Sequence, residues 1–239
     1  MGTASEDGGL AGMQSAAAAQ LYGRRKGKKL RPHQARLMQE LLPRLSIDIG
    51  RPIIDLAAEF AASPSEVWLE IGFGGGEHLI AEALAHPQAA FLGCEPFVNG
   101  VAKLLTQIEA AGCSNLRLFE GDAALLIDRL PAGSLDGVYL LYPDPWPKRR
   151  QRKRRFVSDA MLRQLARVMR SGAELRFATD IDDYAGWTLA RVLRSDDFIW
   201  PAAQAGDWQR PWQGWSSTRY EAKAIAAGRR PAYLTFVRK

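Results

Sequence analysis

The chain has 239 residues, 47% hydrophobic and 24% charged, which is the composition of an ordinary globular protein and excludes a fibrous or globally disordered one. Its 32 Lys and Arg exceed its 26 Asp and Glu, for a net charge of +6 that hints at an acidic partner. Two cysteines, Cys94 and Cys113, stand at no metal-ligand spacing from His33, His78 and His86, so neither a disulfide framework nor a metal site is expected.

In chain order, residues 1–20 are rich in Ala, Gly and Ser but carry Glu6 and Asp7 where a signal peptide needs positive charge. Residues 1–31 are therefore expected to be a disordered leader with a basic tract, and residues 32–239 one domain. No run approaches the roughly 18 apolar residues that cross a bilayer, so a cytoplasmic protein with no membrane partner is expected. Pro32 to Leu45 and Ile53 to Ala62 are short helices by pattern. From residue 67 on, apolar runs of strand length alternate with amphipathic stretches of helix length, the pattern of an α/β fold whose doubly wound, mostly parallel sheet has helices on both faces. Strands are predicted at Val67–Ile71, Ala90–Cys94, Leu116–Phe119, Leu135–Leu141, Glu174–Ala178 and Tyr233–Val237. Helices are predicted at Glu77–Ala85, Gly100–Ala111, Asp122–Leu130, Phe156–Arg170 and Asp183–Arg194, with a long irregular piece from Pro201 to Arg219.

The charge is uneven along this pattern. Arg24, Arg25, Lys26, Lys28, Lys29 and Arg31 form one basic tract, and Lys148, Arg149, Arg150, Arg152, Lys153, Arg154 and Arg155 form another. Without these 13, the body holds 19 basic and 26 acidic residues and carries about −7. Two basic tracts on an acidic body point to a polyanion; a solvated charged surface is the alternative.

Four motifs lie at predicted strand ends. The first strand runs into Glu70-Ile71-Gly72-Phe73-Gly74-Gly75-Gly76-Glu77, whose glycines permit a tight turn and close approach of a ligand. A dinucleotide site requires G-x-G-x-x-G for its pyrophosphate; the spacing here differs, and Glu70 would repel a diphosphate while suiting a sulfonium or amine. Glu95 follows the second strand, 23 residues after Gly72, near the offset at which an acid takes ribose hydroxyls. Asp122 follows the third; either acid is alternatively a helix N-cap. The fourth strand ends in Tyr142-Pro143-Asp144-Pro145-Trp146-Pro147-Lys148, a stiff loop in which an aromatic face suits a purine and a carboxylate suits its Watson–Crick edge. A proline-rich turn with a packing Trp is the plainer reading. Trp208, Trp212 and Trp215 suit packing of a C-terminal flap better than base stacking.

In this order, Glu70-Ile71-Gly72-Phe73-Gly74, Glu95, Gly121-Asp122-Ala123, Pro143-Asp144-Pro145-Trp146-Pro147-Lys148, Thr179-Asp180 and Thr218-Arg219-Tyr220-Glu221 resemble the bacterial tRNA (guanine-N7)-methyltransferase family, over roughly residues 45–239. The resemblance implies a class I, Rossmann-like methyltransferase fold, S-adenosylmethionine as methyl donor, and guanine 46 of the tRNA variable loop as acceptor. By motif position it implies Glu70, Gly72, Gly74, Glu95, Asp122 and Asp144 at the donor, with Asp144 also the catalytic acid. Lys148, Asp180, Thr218, Arg219, Tyr220 and Glu221 correspond to substrate contacts, and Arg150, Arg152, Lys153, Arg154 and Arg155 to the RNA-binding segment. It implies tRNA as partner, no obligatory protein partner, and a monomer or homodimer. Two departures from the family pattern are Pro96-Phe97 after Glu95, where many relatives carry Val-His, and a last strand without the Trp often seen there. An exocyclic-amine methyltransferase fits Thr218 to Glu221 and Lys148 less well. A non-enzymatic RNA-binding protein would not need intact Glu70, Gly72, Gly74 and Asp144, and the glycine spacing disfavours a nicotinamide oxidoreductase.

Overall fold

A computed structural model describes residues 25–60 and 64–239. The apolar runs become β1 (Val67–Ile71), β2 (Ala90–Cys94), β3 (Leu116–Phe119), β4 (Leu135–Leu141) and β5 (Met169–Thr179), followed by β6 (Phe198–Ile199) and β7 (Ala232–Arg238). They form one sheet in the order β3-β2-β1-β4-β5-β7-β6. The first five are parallel, and β7 lies antiparallel between β5 and β6, so the mostly parallel sheet expected from the pattern is present.

The helices are α1 (Pro32–Glu40), α2 (Leu42–Leu45), α3 (Leu56–Glu59), α4 (Glu77–Ala85), α5 (Val98–Ala111), α6 (Ala123–Arg129), α7 (Asp159–Val168), α8 (Asp182–Val192), α9 (Gly206–Gln209) and α10 (Arg219–Ala226). Several bounds differ from those expected. The first helix breaks at Leu41 because Pro43 has no N–H to continue the ladder. Its successor shrinks to α3, set by Asp55 capping Ala57 and Ala58, and the end predicted for it lies outside the described residues. α7 starts after Ser158, whose hydroxyl accepts from Met161 N at 3.2 Å, and stops at Val168 because β5 begins at once.

Period-two alternation divides the core. Val67, Leu69 and Ile71 of β1 pack with α6, α7 and α8 on one face. On the other, α1, α2, α4 and α5 cover Phe91 and Leu118, and Trp212 and Trp215 of the C-terminal flap cover Tyr139, Leu141 and Tyr233. Trp68 and Glu70 fall on that second face. The Trp212 indole donates to Thr235 Oγ1 at 2.8 Å, which satisfies its one polar atom while the ring packs. Trp208 packs against the first face's core.

Candidate active site

The strand order reverses between β1 and β4, whose residues pair in register up to Ile71 and Leu140. In an open α/β sheet, that reversal opens a crevice beyond the carboxyl ends of the strands. A cavity of about 680 Å³ lies there, lined by Gly72, Gly74, Glu95, Asp122, Asp144, Trp146 and Tyr220 among others.

The floor is built by the glycine turn after β1. Gly72, Gly74 and Gly76 adopt φ values of +73°, +59° and +76°, a left-handed backbone that residues with a side chain rarely hold. Glu95 fixes this turn: Oε2 accepts from Gly74 N at 2.6 Å and Oε1 from Phe97 N at 2.9 Å. Burial pushes the Glu95 carboxyl above its usual range, against the two backbone donors that pull it down. Asp122 also faces the cavity, and it caps α6 by accepting from Ala124 N at 2.9 Å, as the N-cap alternative has it. The thiol of Cys94 closes the floor by donating to Gly121 O at 3.3 Å.

Glu70 is placed differently from its sequence assignment to the donor. Sharing a face with Trp68, it is 3% exposed and bound at 2.7 Å to Nδ1 of His78 on α4, and its side chain does not line the cavity. The His78 ring lies 4.8 Å from that of Trp215, so Glu70 anchors α4 and the flap.

The loop after β4 forms the opposite wall. Tyr142 and Trp146, both non-glycine, sit at φ +49° and +42° on either side of Pro143-Asp144-Pro145. Asp144 faces the cavity, and partial burial pushes its carboxyl above the usual range. Residues Arg149–Arg154 form a 3-10 turn with Lys148 at its N-cap. In that stretch Lys148, Arg149, Arg150 and Lys153 are exposed, Arg152 pairs with Asp183 at 2.6 Å, and the Arg154 guanidinium lies 5.0 Å from the centre of the Trp146 ring. Arg155, assigned to RNA with its neighbours, has a fully buried side chain held by Asp183, so it presents no charge to a phosphate. Arg155 in turn holds the Asp183 carboxyl below the usual carboxylate range.

The remaining assigned residues come from the C-terminal part. Thr218 is the N-cap of α10, accepting from Glu221 N at 3.1 Å. Glu221 is 3% exposed and accepts from the Trp215 indole at 2.7 Å and from the Tyr233 hydroxyl, so it braces the flap instead of facing a substrate. Arg219 and Tyr220 lean over the glycine turn, joined by an Nη2–OH bond of 2.9 Å. Asp180 is mostly buried and bound to Arg229 Nε at 2.5 Å.

Two structured segments are absent from the elements predicted above. Residues 25–28, inside the predicted leader, run along α5: Val98 N donates to Arg25 O, Gly27 N to Asn99 Oδ1 and Asn99 Nδ2 to Lys28 O, at 3.0, 2.7 and 2.7 Å. The first basic tract therefore passes the rim of the cavity beside Phe97, while its Arg24 lies outside the described residues. α10 had a signal in Thr218-Arg219-Tyr220-Glu221, the T-x-x-E spacing of a capping box.

Comparison with known proteins accords with this geometry. Residues 64–233 match a family described as "Putative methyltransferase". A tRNA (guanine-N(7)-)-methyltransferase of Rhodopseudomonas palustris (strain BisB18) is 59% identical over 218 residues, covering 91% of this chain and 87% of that protein. One from Brucella melitensis biotype 1 is 52% identical over 224 residues, covering 93% and 96%. Among solved structures, the 16S rRNA methyltransferase KamB matches with a TM-score of 0.51 at 18% identity, over 74% of this chain and 89% of that one, a likeness of fold alone.

Proposed function

Because the chain belongs to the tRNA (guanine-N7)-methyltransferase family, we propose that it transfers the methyl group of S-adenosylmethionine to N7 of guanine 46 in the tRNA variable loop. The observation that carries the reading is the juxtaposition of Asp144 and the Glu95-braced glycine turn across one cavity, hung from neighbouring strands.

The chemistry of the cavity fits the donor. Its volume, about 680 Å³, lies within the range of small-ligand sites. Glu95 spends one acceptor position per oxygen on Gly74 and Phe97, and a carboxylate offers about four, so ribose hydroxyls find acceptors there. Asp122 extends the acidic wall, and the glycine turn leaves room for the amino-acid end. When bound, S-adenosylmethionine supplies an electrophilic methyl on a sulfonium.

Guanine N7 carries a lone pair, so no proton is removed before attack and no strong base is required. What the chain supplies is alignment, an effect worth up to about 7–11 kcal/mol. Asp144 accepts from the guanine N1 and N2 donors and favours the positive charge that develops on the base. The exposed Arg149, Arg150 and Lys153 meet tRNA phosphates and help offset the few kcal/mol needed to draw the base outward.

The test is to incubate the protein with unmodified tRNA and labelled S-adenosylmethionine and map the product by aniline-induced cleavage. Cleavage at guanine 46 is the expected result. Label incorporation without cleavage there refutes the site, and no incorporation refutes the reaction.

A further inference from the structure

All seven basic residues from Lys148 to Arg155 invite one reading, as ligands of phosphate. Arg155 is built into the protein instead. Its side chain is 0% exposed. Nε donates to the Pro145 carbonyl at 2.8 Å, Nη1 to the Asp183 backbone carbonyl at 3.3 Å, and Nη2 to the Asp183 carboxylate. The guanidinium lies 4.8 and 5.1 Å from the ring centres of Tyr184 and Trp187. The Trp187 indole closes that layer by donating to Val157 O at 2.8 Å. A cation withdrawn from water is tolerated only with a counter-charge and filled hydrogen bonds, and here each guanidinium nitrogen has a partner.

The partner that matters is the Pro145 carbonyl. Pro145 directly follows Asp144 and has no N–H of its own, so its carbonyl is the group by which the loop is held at that point. Tyr142 and Trp146 flank it in left-handed backbone, a conformation that persists only where surrounding structure enforces it. Asp183, in the first turn of α8, anchors the far side of the fork and also binds Arg152. We propose that Arg155 is a positioning residue of the methyl transfer: anchored on Asp183, it fixes the Pro145 carbonyl and through it the orientation of the Asp144 carboxylate. This rests on the reading in which Asp144 meets the guanine. The basic tract thus divides into an outer part that meets RNA and an inner member that sets the geometry of the reacting loop.

The test compares Arg155→Ala, Arg155→Lys, Asp183→Asn and the combined Arg155→Ala/Asp183→Asn with the parent. Single-turnover methylation of unmodified tRNA is measured at saturating S-adenosylmethionine and tRNA, with tRNA affinity across a salt series and thermal unfolding. Lysine keeps the charge but lacks the planar fork that reaches Pro145 and Asp183 together. The expected result is a fall of about tenfold to a hundredfold in single-turnover rate for each single variant, as for a small misplacement of a reacting group. The combined variant falls no further than Arg155→Ala, and the tRNA affinity and its salt slope stay at the parent value. A purely structural role would lower the unfolding temperature and leave the rate of the folded enzyme intact, which overturns the proposal. So does a salt slope reduced by about one in Arg155→Ala at an unchanged rate, the signature of a lost phosphate contact. If Arg155→Ala does not fold, Arg155→Lys and Asp183→Asn decide by the same criteria below their unfolding temperatures. A parent that makes no N7-methylguanine refutes the proposed reaction; an active parent with unimpaired variants refutes the anchor alone.

Discussion

Replacing Gly100 with alanine sets a gain in helix propensity against a collision. Gly100 lies in the first turn of α5, where alanine is worth up to about 1 kcal/mol over glycine. A Cβ there would stand 2.1 Å from the Gly74 carbonyl oxygen, and real Cβ contacts essentially never fall below 3.0 Å, so helix and glycine turn must part by at least about 0.9 Å. The 2.6 Å bond from Gly74 N to Glu95 would then stretch to about 3.5 Å, the outer limit of a hydrogen bond. Overpacking costs about 1–3 kcal/mol, and a hydrogen bond to a charged group about 1.5–3 kcal/mol, so the collision outweighs the propensity. Calorimetry should show affinity for S-adenosylmethionine reduced at least about tenfold, with tRNA affinity unchanged. The unfolding temperature should drop, at about 2–4 °C per net kcal/mol for a chain of this size. A variant that binds donor like the parent and melts higher would show that propensity wins and that close approach to the turn is not what Gly100 provides.

Three further outcomes follow from the site. Burial raises the Asp144 carboxyl, and the ionised form is the one that accepts from guanine, so the single-turnover rate should fall with an acid limb above the ordinary value of about 3.9; a limb at that value, or one that survives in Asp144→Asn, contradicts the assignment. A carboxyl whose folded pKa is raised stabilises most when protonated and loses that contribution as pH rises through the folded value. Asp144→Asn should therefore melt no lower than the parent at neutral pH, checked by calorimetry. Replacing Arg149, Arg150 and Lys153 with Ala should reduce the slope of log affinity for tRNA against log salt by roughly 2–3; an unchanged slope makes them an ordinary charged surface. Thr218→Ala should cost about 1 kcal/mol of stability through the lost cap, read by denaturant unfolding, and no change would mean α10 needs no cap.

How much of this was legible in the sequence depended on whether the cause was local. β1 to β4 coincide with the strands read from apolar runs, and α4 has the bounds read from periodicity, because burial between two helical layers leaves little else for those segments to do. β6 is two residues long and exists only because β7 is there to pair with it, which no local pattern announces. In the site, Gly72, Gly74, Glu95, Asp122 and Asp144 line one cavity as their positions at strand ends imply. The resemblance puts Glu70 at the donor by motif position, but strand alternation governs its direction and turns it toward His78. Arg155 looked like its neighbours because charge runs are read as surfaces. Its burial depends on Asp183 and Trp187, which lie far along the chain and carry no mark of that contact in the sequence.

The left-handed pair Tyr142 and Trp146 has a consequence for engineering. Bulky residues at such angles cost of order 1–3 kcal/mol each, a sizeable part of the 5–15 kcal/mol by which a folded protein typically exceeds its unfolded chain. Glycine at either position would relieve that strain but would also remove the Tyr142 ring from its packing beside Tyr139 and Tyr233, or the Trp146 ring from beneath Arg154, and would slacken the loop that carries Asp144. Strain and packing are therefore tied together at these two residues: the rings that carry the strained backbone are also what hold it, so relieving one gives up the other and the loop geometry with it.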